Sequence, residues 1–318
     1  MRKRVLGKTG IDVSEIAFGG VEIGIPYGIG VSSAADMLPV QDAIRLLHAS
    51  VDAGVNFFDT ARLYGESEKI MGQAFRGMRN EVVVCTKCKH ITNQDGSLPP
   101  ERELKAIIET SLEESLAALQ TDYVDVLMLH QATSGILHDD ALPMIFANLK
   151  KKGKIRATGI STYTSEETEI ALESGVWDVI QLPFNLLDQR QKELFPLAEK
   201  NGVGLVIRSV LLKGLLSDKG QNLHPALADV ENHIKKYDCL LERVSCSLSA
   251  LALKFVLSYR EIAAALVGID KFSYLQQALD AANGEYLDAD SLALAEQLAF
   301  PEPNFINLPH WDKMNWLK

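Results

Sequence analysis

The sequence predicts an α/β fold, a closed (β/α)8 TIM barrel with an N-terminal β-hairpin and a C-terminal tail. Two observations point there. Eight short apolar or β-branched runs recur along the chain, and longer segments with the helical 3.6-residue period separate them. Strands alternating with helices imply parallel strands joined by crossover helices. A third observation sets the barrel apart from a doubly wound open sheet. No GxGxxG follows any of the runs, so the dinucleotide fingerprint of the open sheet is missing. The chain of 318 residues, 47% of them hydrophobic, suits a barrel that typically uses about 250 residues as one domain. A single domain over residues 1–318 is therefore expected.

The elements follow in order. KRVLG and IDVSE flank the turn-rich KTG and predict a hairpin ahead of the barrel. Barrel strands are expected over 14–18, 55–59, 82–87, 124–130, 156–161, 179–184, 204–209 and 264–269. The segment 101–119 sets Leu104, Ile107, Ile108, Ser111, Leu112, Leu116 and Leu119 near one helical face. Its entry, SLPPE, places proline where a helix loses no N–H partner. Further helices are expected over 142–151, 165–174, 191–201 and 248–258. Glycines in DAGVNF, LESGVW and EKNGVGL mark helix exits that need a left-handed residue. The least regular stretches are 22–41, 211–225 and the tail, 300–318.

The formal net charge of −10 argues against a nucleic-acid partner, which needs clustered Lys and Arg. The densest basic cluster, Lys150, Lys151, Lys152, Lys154 and Arg156, reads as a solvated helix end. No run approaches the ~20 apolar residues of a membrane helix, and MRKRVLGKTG lacks the apolar core of a signal peptide. No membrane partner and a reducing cytoplasm are expected. Cys85 and Cys88 form CTKC, but no second CxxC or metal-spaced His pair accompanies it, so packing is the expected role and no metal is expected.

The active site of such a barrel lies at the C-terminal ends of its strands. Those ends carry Asp59, Lys87 and His130, and FFDTARLYGESE places Tyr64 in the loop after Asp59. Each has an ordinary explanation alone: a helix cap, a solvent-facing lysine, a structural histidine. Together they converge on one mouth. A free tyrosine, with a pKa of about 10, is a poor acid at neutral pH. A nearby ammonium lowers that value, and Asp59 supplies the counter-charge that a buried lysine requires. A histidine can hydrogen-bond and orient a carbonyl. This equipment protonates an oxygen; a hydride from a nicotinamide would complete the reaction at carbon.

Four separated motifs, FFDTARLYGESE, VVVCTK, YVDVLMLHQ and GKIRATGIS, together resemble the aldo-keto reductases, from residue 6 to about residue 283. The resemblance implies a (β/α)8 barrel using NADP(H), with NAD(H) possible. It makes Tyr64 the general acid/base, Lys87 and Asp59 its tuning pair, and His130 the carbonyl-orienting residue. Gly19 and Gly20 match the loop after the first strand. Ser161 and Thr162 stand where the family holds the nicotinamide carboxamide with Ser-Asn; Thr162 departs from that pattern but keeps a hydroxyl. Gln181 matches the carboxamide-binding glutamine. RSVLLKGLL resembles the segment that wraps the pyrophosphate, which makes Ser209, Leu211 and Gly214 candidates. Arg208 replaces an aromatic ring that stacks under the nicotinamide; a planar guanidinium can also stack.

At the adenine end, LVGIDKFSYLQQALDAAN resembles a family segment in which Gly268, Lys271, Tyr274 and Gln277 fall on or near binding positions. Lys271 can pair with a 2′-phosphate. Asp270 opposes that, and Ala278 replaces an adenine-contacting asparagine. Substrate contacts are expected from loops 22–41, 89–98 and 131–140, with Tyr27 in the glycine-rich lid GIPYGIG, and from the tail unless it packs under the barrel. Their polar character implies a small polar carbonyl compound or sugar. The expected activity interconverts an aldehyde, ketone or sugar hemiacetal with its alcohol or lactone. Two other classes stay open: a nucleotide-sensing subunit without turnover, and a barrel lyase that forms a Schiff base on Lys87.

Overall fold

A computed structural model describes residues 1–317. Strands β1 (Lys3–Val5) and β2 (Asp12–Ser14) pair antiparallel, with Lys3 opposite Ser14 and Val5 opposite Asp12. Eight parallel strands follow: β3 (Ile16–Gly19), β4 (Phe57–Asp59), β5 (Val83–Lys87), β6 (Val124–Leu129), β7 (Ile155–Ser161), β8 (Val179–Pro183), β9 (Gly204–Arg208) and β10 (Ile262–Gly268). They close in the order β10-β3-β4-β5-β6-β7-β8-β9, with β10 also paired to β9. Each expected run carries a strand. The first starts later than expected because Ser14 pairs in the hairpin.

Strands buried on both faces read as near-continuous apolar runs, which explains why the sequence shows runs and not alternation. Inside the barrel, Ala17, Phe57, Val83, Cys85, Val126, Met128, Ala157, Val179, Val206 and Ala264 form one cluster. Leu6, Ile11 and Val13 join it, so the hairpin plugs the end away from the mouth. Gly7 permits this. Its φ is +55°, and a Cβ there would meet the Gly204 amide nitrogen at 2.4 Å and the Gly202 oxygen at 2.5 Å. Arg4 ties the plug down, donating to the backbone oxygens of Leu257, Tyr259 and Ile262 at 2.8, 2.7 and 2.7 Å.

The helix Glu101–Leu119 forms as expected, and its buried face is Leu104, Ile108, Ser111, Leu112, Ser115, Leu116 and Leu119. Helices Ala141–Lys151, Ser165–Glu173 and Leu248–Leu257 also match. The segment expected to be helical over 191–201 splits into a 3-10 turn, Arg190–Leu194, and an α-helix, Phe195–Asn201. Pro196 has no N–H to continue an α-helical ladder, so the α-helix restarts there. Gly54, Gly175 and Gly202 take φ of +88°, +66° and +66°, the left-handed conformation expected of them.

Two stretches read as irregular contain helices. Val40–Asp52 begins inside 22–41, and Leu308–Lys313 lies in the tail. Cys85 packs inside the barrel while Cys88 packs among the outer helices, so CTKC serves both layers of the core. In the basic cluster, Lys150 pairs with Asp178 and Arg156 with Asp125, at 2.7 and 2.6 Å, so these cations are partnered as well as solvated. Among the described residues no helix is long and apolar enough to cross a membrane.

Candidate active site

Adjacent strands β4 and β5 end at Asp59 and Lys87. Lys87 Nζ donates to Asp59 Oδ1 and Oδ2 at 2.7 and 2.6 Å and to the Thr60 carbonyl oxygen at 3.1 Å. From β8, Gln181 Nε2 donates to Asp59 Oδ1 at 2.9 Å. Lys87 and Asp59 are 1% and 4% exposed, so neither charge is shared with solvent. Burial pulls the Lys87 ammonium down, but Asp59 overcomes it and holds its pKa above the usual lysine range.

Tyr64 projects from the loop after β4. Its ring meets that of His130 edge-on, with centroids 5.4 Å apart, and Lys87 Nζ lies 4.9 Å from its centroid. Burial raises the phenol's pKa; Lys87 and Arg208 pull it down and Asp59 opposes them, so the net shift is upward. This corrects the expected lowering. The Lys87 charge is largely neutralised by Asp59 at contact distance, and the apolar surroundings favour the uncharged phenol. Tyr64 therefore holds its proton at neutral pH.

His130 follows the end of β6. Burial, then the neighbouring Lys87, His90 and Arg208, depress its pKa to about 3. Its Nδ1 is buried without a partner among the described residues. A neutral imidazole here can donate a hydrogen bond and does not compete with Tyr64 as an acid.

These groups form one end of a long cleft across the strand ends. Gly19, Gly20, Tyr27, Asp59, Tyr64, His130, Ser161, Gln181, Arg208, Ser209, Leu211, Gly214, Gly268, Tyr274 and Gln277 all line it. Three expected residues do not. Lys87 lies beneath the floor on Asp59. Thr162 is buried, with its Oγ1 2.7 Å from Thr168 Oγ1 and its amide donating to the Gln181 oxygen. Lys271 caps the helix Phe272–Ala281 from an exposed position, its Nζ 5.3 Å from the Tyr274 ring centroid.

Arg208, at the end of β9, places its guanidinium carbon 4.2 Å from the Tyr163 ring centroid and donates from Nη2 to the Thr162 oxygen at 2.8 Å. Its Nε is buried without a partner among the described residues. The following loop is strained: Ser209, Leu212 and Lys213 take φ of +58°, +46° and +60°, and Gly214 takes +101°. Left-handed non-glycine residues cost energy and cluster at ligand sites. Alternating left- and right-handed backbone also makes anion-binding concavities. Lys213 Nζ pairs with Asp312 of the tail helix at 2.5 Å and lies 4.3 Å from the Tyr27 ring centroid. Loop 22–30, the loop after β9 and the tail thus meet over the cleft, so the tail packs at the mouth and not under the barrel. The far end is formed by Tyr274, Gln277 and Ala278 with Ser249, Ala250 and Leu253; Lys219 Nζ lies 5.6 Å from the Tyr274 ring centroid.

A cleft with the buried Lys87–Asp59 pair, Tyr64 and His130 at one end, a strained loop suited to an anion and a remote end beside a tyrosine fits a nicotinamide dinucleotide. The orphaned Arg208 Nε supports that fit. Sequence reasoning left out Glu22, Tyr163, Lys213, Lys219 and Asp312, which also line the cleft. Tyr163 directly follows Ser161 and Thr162, and Lys213 sits inside RSVLLKGLL; Glu22 and Asp312 fall in stretches named only as a loop and a tail, with nothing local to mark either residue. Loops 89–98 and 131–140 do not line the cleft and instead join each other through Gln131 Nε2 and Thr92 Oγ1, at 3.1 Å.

A family model, "Aldo/keto reductase family", matches residues 15–299. The chain is 31% identical over 315 residues to an L-galactose dehydrogenase of Arabidopsis thaliana, covering 94% of each protein. It is 31% identical over 324 residues to an NADH-specific methylglyoxal reductase of Escherichia coli (strain K12), covering 93% of this chain and 98% of that protein. Among solved structures, the holo form of an aldo-keto reductase from Bacillus halodurans superposes with a TM-score of 0.78 at 27% identity, over 94% of this chain and 96% of that one.

Proposed function

The chain belongs to the aldo/keto reductase family, an NAD(P)H-dependent oxidoreductase type, and on that premise we propose that it interconverts a small polar carbonyl compound or sugar with its alcohol or lactone. One observation carries the proposal: the buried Lys87–Asp59 pair stands directly beside Tyr64 and His130. A nicotinamide, when bound, would supply or accept the hydride. The rest falls to this chain. Tyr64 Oη holds the proton that goes to the substrate oxygen. As the phenolate forms, the Lys87 ammonium stabilises it, and Asp59 and the Thr60 oxygen keep that ammonium in place. Neutral His130 orients the substrate oxygen by donating a hydrogen bond. Gln181 donates to Asp59, which leaves its Oε1 to accept from a carboxamide, with Ser161 beside it. In the oxidative direction Tyr64 takes the proton back.

Replacing Tyr64 with Phe should lower turnover by about 10²- to 10⁴-fold while cofactor still binds. Steady-state kinetics with a binding titration checks this. Unchanged turnover would remove Tyr64 from the chemistry, and no turnover in the wild type would favour a nucleotide sensor. A Schiff-base lyase fits poorly, because three acceptors hold Lys87 as an ammonium; borohydride trapping should yield no adduct.

The polar lining by Tyr27, His130, Tyr163 and Arg208 supports a small polar substrate, as does the likeness to relatives named for L-galactose, a hydroxylated sugar, and methylglyoxal, a small oxoaldehyde. Rates with aldoses and small oxoaldehydes should exceed those with bulky aromatic aldehydes; the reverse order sinks this assignment. The proposed cofactor is NADP(H), because Lys219 and Lys271 flank Tyr274 at the remote end. Asp270 and the relative named as NADH-specific favour NAD(H) instead. Tryptophan-fluorescence titration with NADPH and NADH separates the two.

A further inference from the structure

The cleft contains an acid that this chemistry leaves unused. Glu22 lies in the short helix Val21–Gly24 after β3, and its carboxyl rests against the end of β10. A Cβ built on Gly268 would stand 2.0 Å from Glu22 Oε1. The other oxygen, Oε2, is buried with no hydrogen-bond partner among the described residues. Charge on such an oxygen is stabilised neither by water nor by a donor, so the neutral acid is favoured.

The groups around it work the same way. Asp59 at the end of β4 and Asp270 beyond β10 both disfavour a second negative charge. Lys213, from the loop after β9, is the cation that opposes them, and it is already paired with Asp312. Tyr27, from the neighbouring loop, keeps its phenol protonated; burial and then Glu22 push it up. Burial is the largest influence on Glu22; its own backbone N–H opposes burial but does not overcome it, and its pKa rises to about 8.

Position gives this consequence. Gly19 and Gly268 are register partners on β3 and β10, and Glu22 follows β3. Its charged neighbours are Asp59, beside Tyr64, and Asp270 and Lys213, from the loops after β10 and β9, so it lies between the Asp59 end and the Tyr274 end of the cleft. Any dinucleotide spanning the two must bring its anionic diphosphate through that region. We propose that Glu22 makes cofactor binding proton-linked: its carboxyl must be neutral when a nicotinamide dinucleotide fills the cleft, so in alkaline solution, where the free protein has lost that proton, binding takes one up and affinity weakens. The proposal rests on the family-based reading of the cleft.

The test is a titration of wild type and Glu22→Gln with NADPH and NADH across neutral and alkaline pH. Tryptophan fluorescence reports Kd, and calorimetry in two buffers of different ionisation enthalpy reports proton uptake. Wild-type Kd should stay flat below about pH 8 and then rise by up to tenfold per pH unit, with proton uptake over the same range. Glu22→Gln should bind with little pH dependence and more tightly than wild type at the alkaline end. Parallel curves for the two proteins would overturn the proposal. So would an absence of proton uptake in the wild type, a result that stands even if the variant fails to fold. Folded wild type that binds neither cofactor at any pH would overturn the family-based reading itself.

Discussion

Asp59 accepts two hydrogen bonds from Lys87 and one from Gln181, and that single carboxylate decides much of the site. Replacing it with Asn leaves the Lys87 ammonium buried without a counter-charge. A buried pair broken on one side costs about 3–5 kcal/mol, so Asp59→Asn should lose a similar amount of stability in urea unfolding, together with turnover. Lys87→Met removes the cation opposite the phenolate. It should lower turnover at least as much as Tyr64→Phe weakens it, and shift the alkaline limb of the rate profile. His130 makes a separate prediction. Its pKa falls from 6.5 to about 3 on folding, so the unfolded chain binds the extra proton between those values. Stability should therefore decline as the pH drops below about 6.5. Melting temperatures of wild type and His130→Phe across that range check this; the variant should lose part of the acid sensitivity.

Three elements remote from one another in sequence close the cleft, and their junction is an ion pair with a strained partner. Lys213 holds a left-handed backbone while reaching Asp312, and its side chain also covers Tyr27. Asp312 is half-exposed, so the pair is partly screened. Asp312→Ala should speed cofactor release by no more than about fivefold, the range expected of an exposed ion pair, and leave the fold intact. Stopped-flow displacement of bound cofactor reads that rate directly. Release slowed by the substitution would mean that the tail does not restrain the cleft. The segment RSVLLKGLL stands out in the sequence as a candidate binding loop, yet its strain does not: Ser209, Leu212 and Lys213 carry side chains that ordinarily avoid positive φ. Only Gly214 announces the turn locally.

At the scale of the whole molecule, the hairpin plug joins the two ends of the chain. Arg4 binds backbone oxygens more than 250 positions away, and Gly7 presses on the start of β9. Gly7→Ala would force a Cβ into backbone atoms at a positive φ, and it should cost about 2 kcal/mol or more in unfolding experiments. A neutral effect would show that the plug is dispensable. The sequence by itself determined the barrel and its hairpin, and it offered Asp59, Tyr64, Lys87 and His130 as residues at or just after strand ends. Strand runs, helical periods and strand-end residues are local patterns, and a barrel gathers all its strand ends at one mouth. Only the tertiary structure decided which other side chains reach that mouth. Lys213 and Asp312 lie 99 positions apart, and Glu22 is defined by its approach to Gly268. It also reversed the expected shift of Tyr64, because burial sums over neighbours from every element while a motif displays one charge at a time.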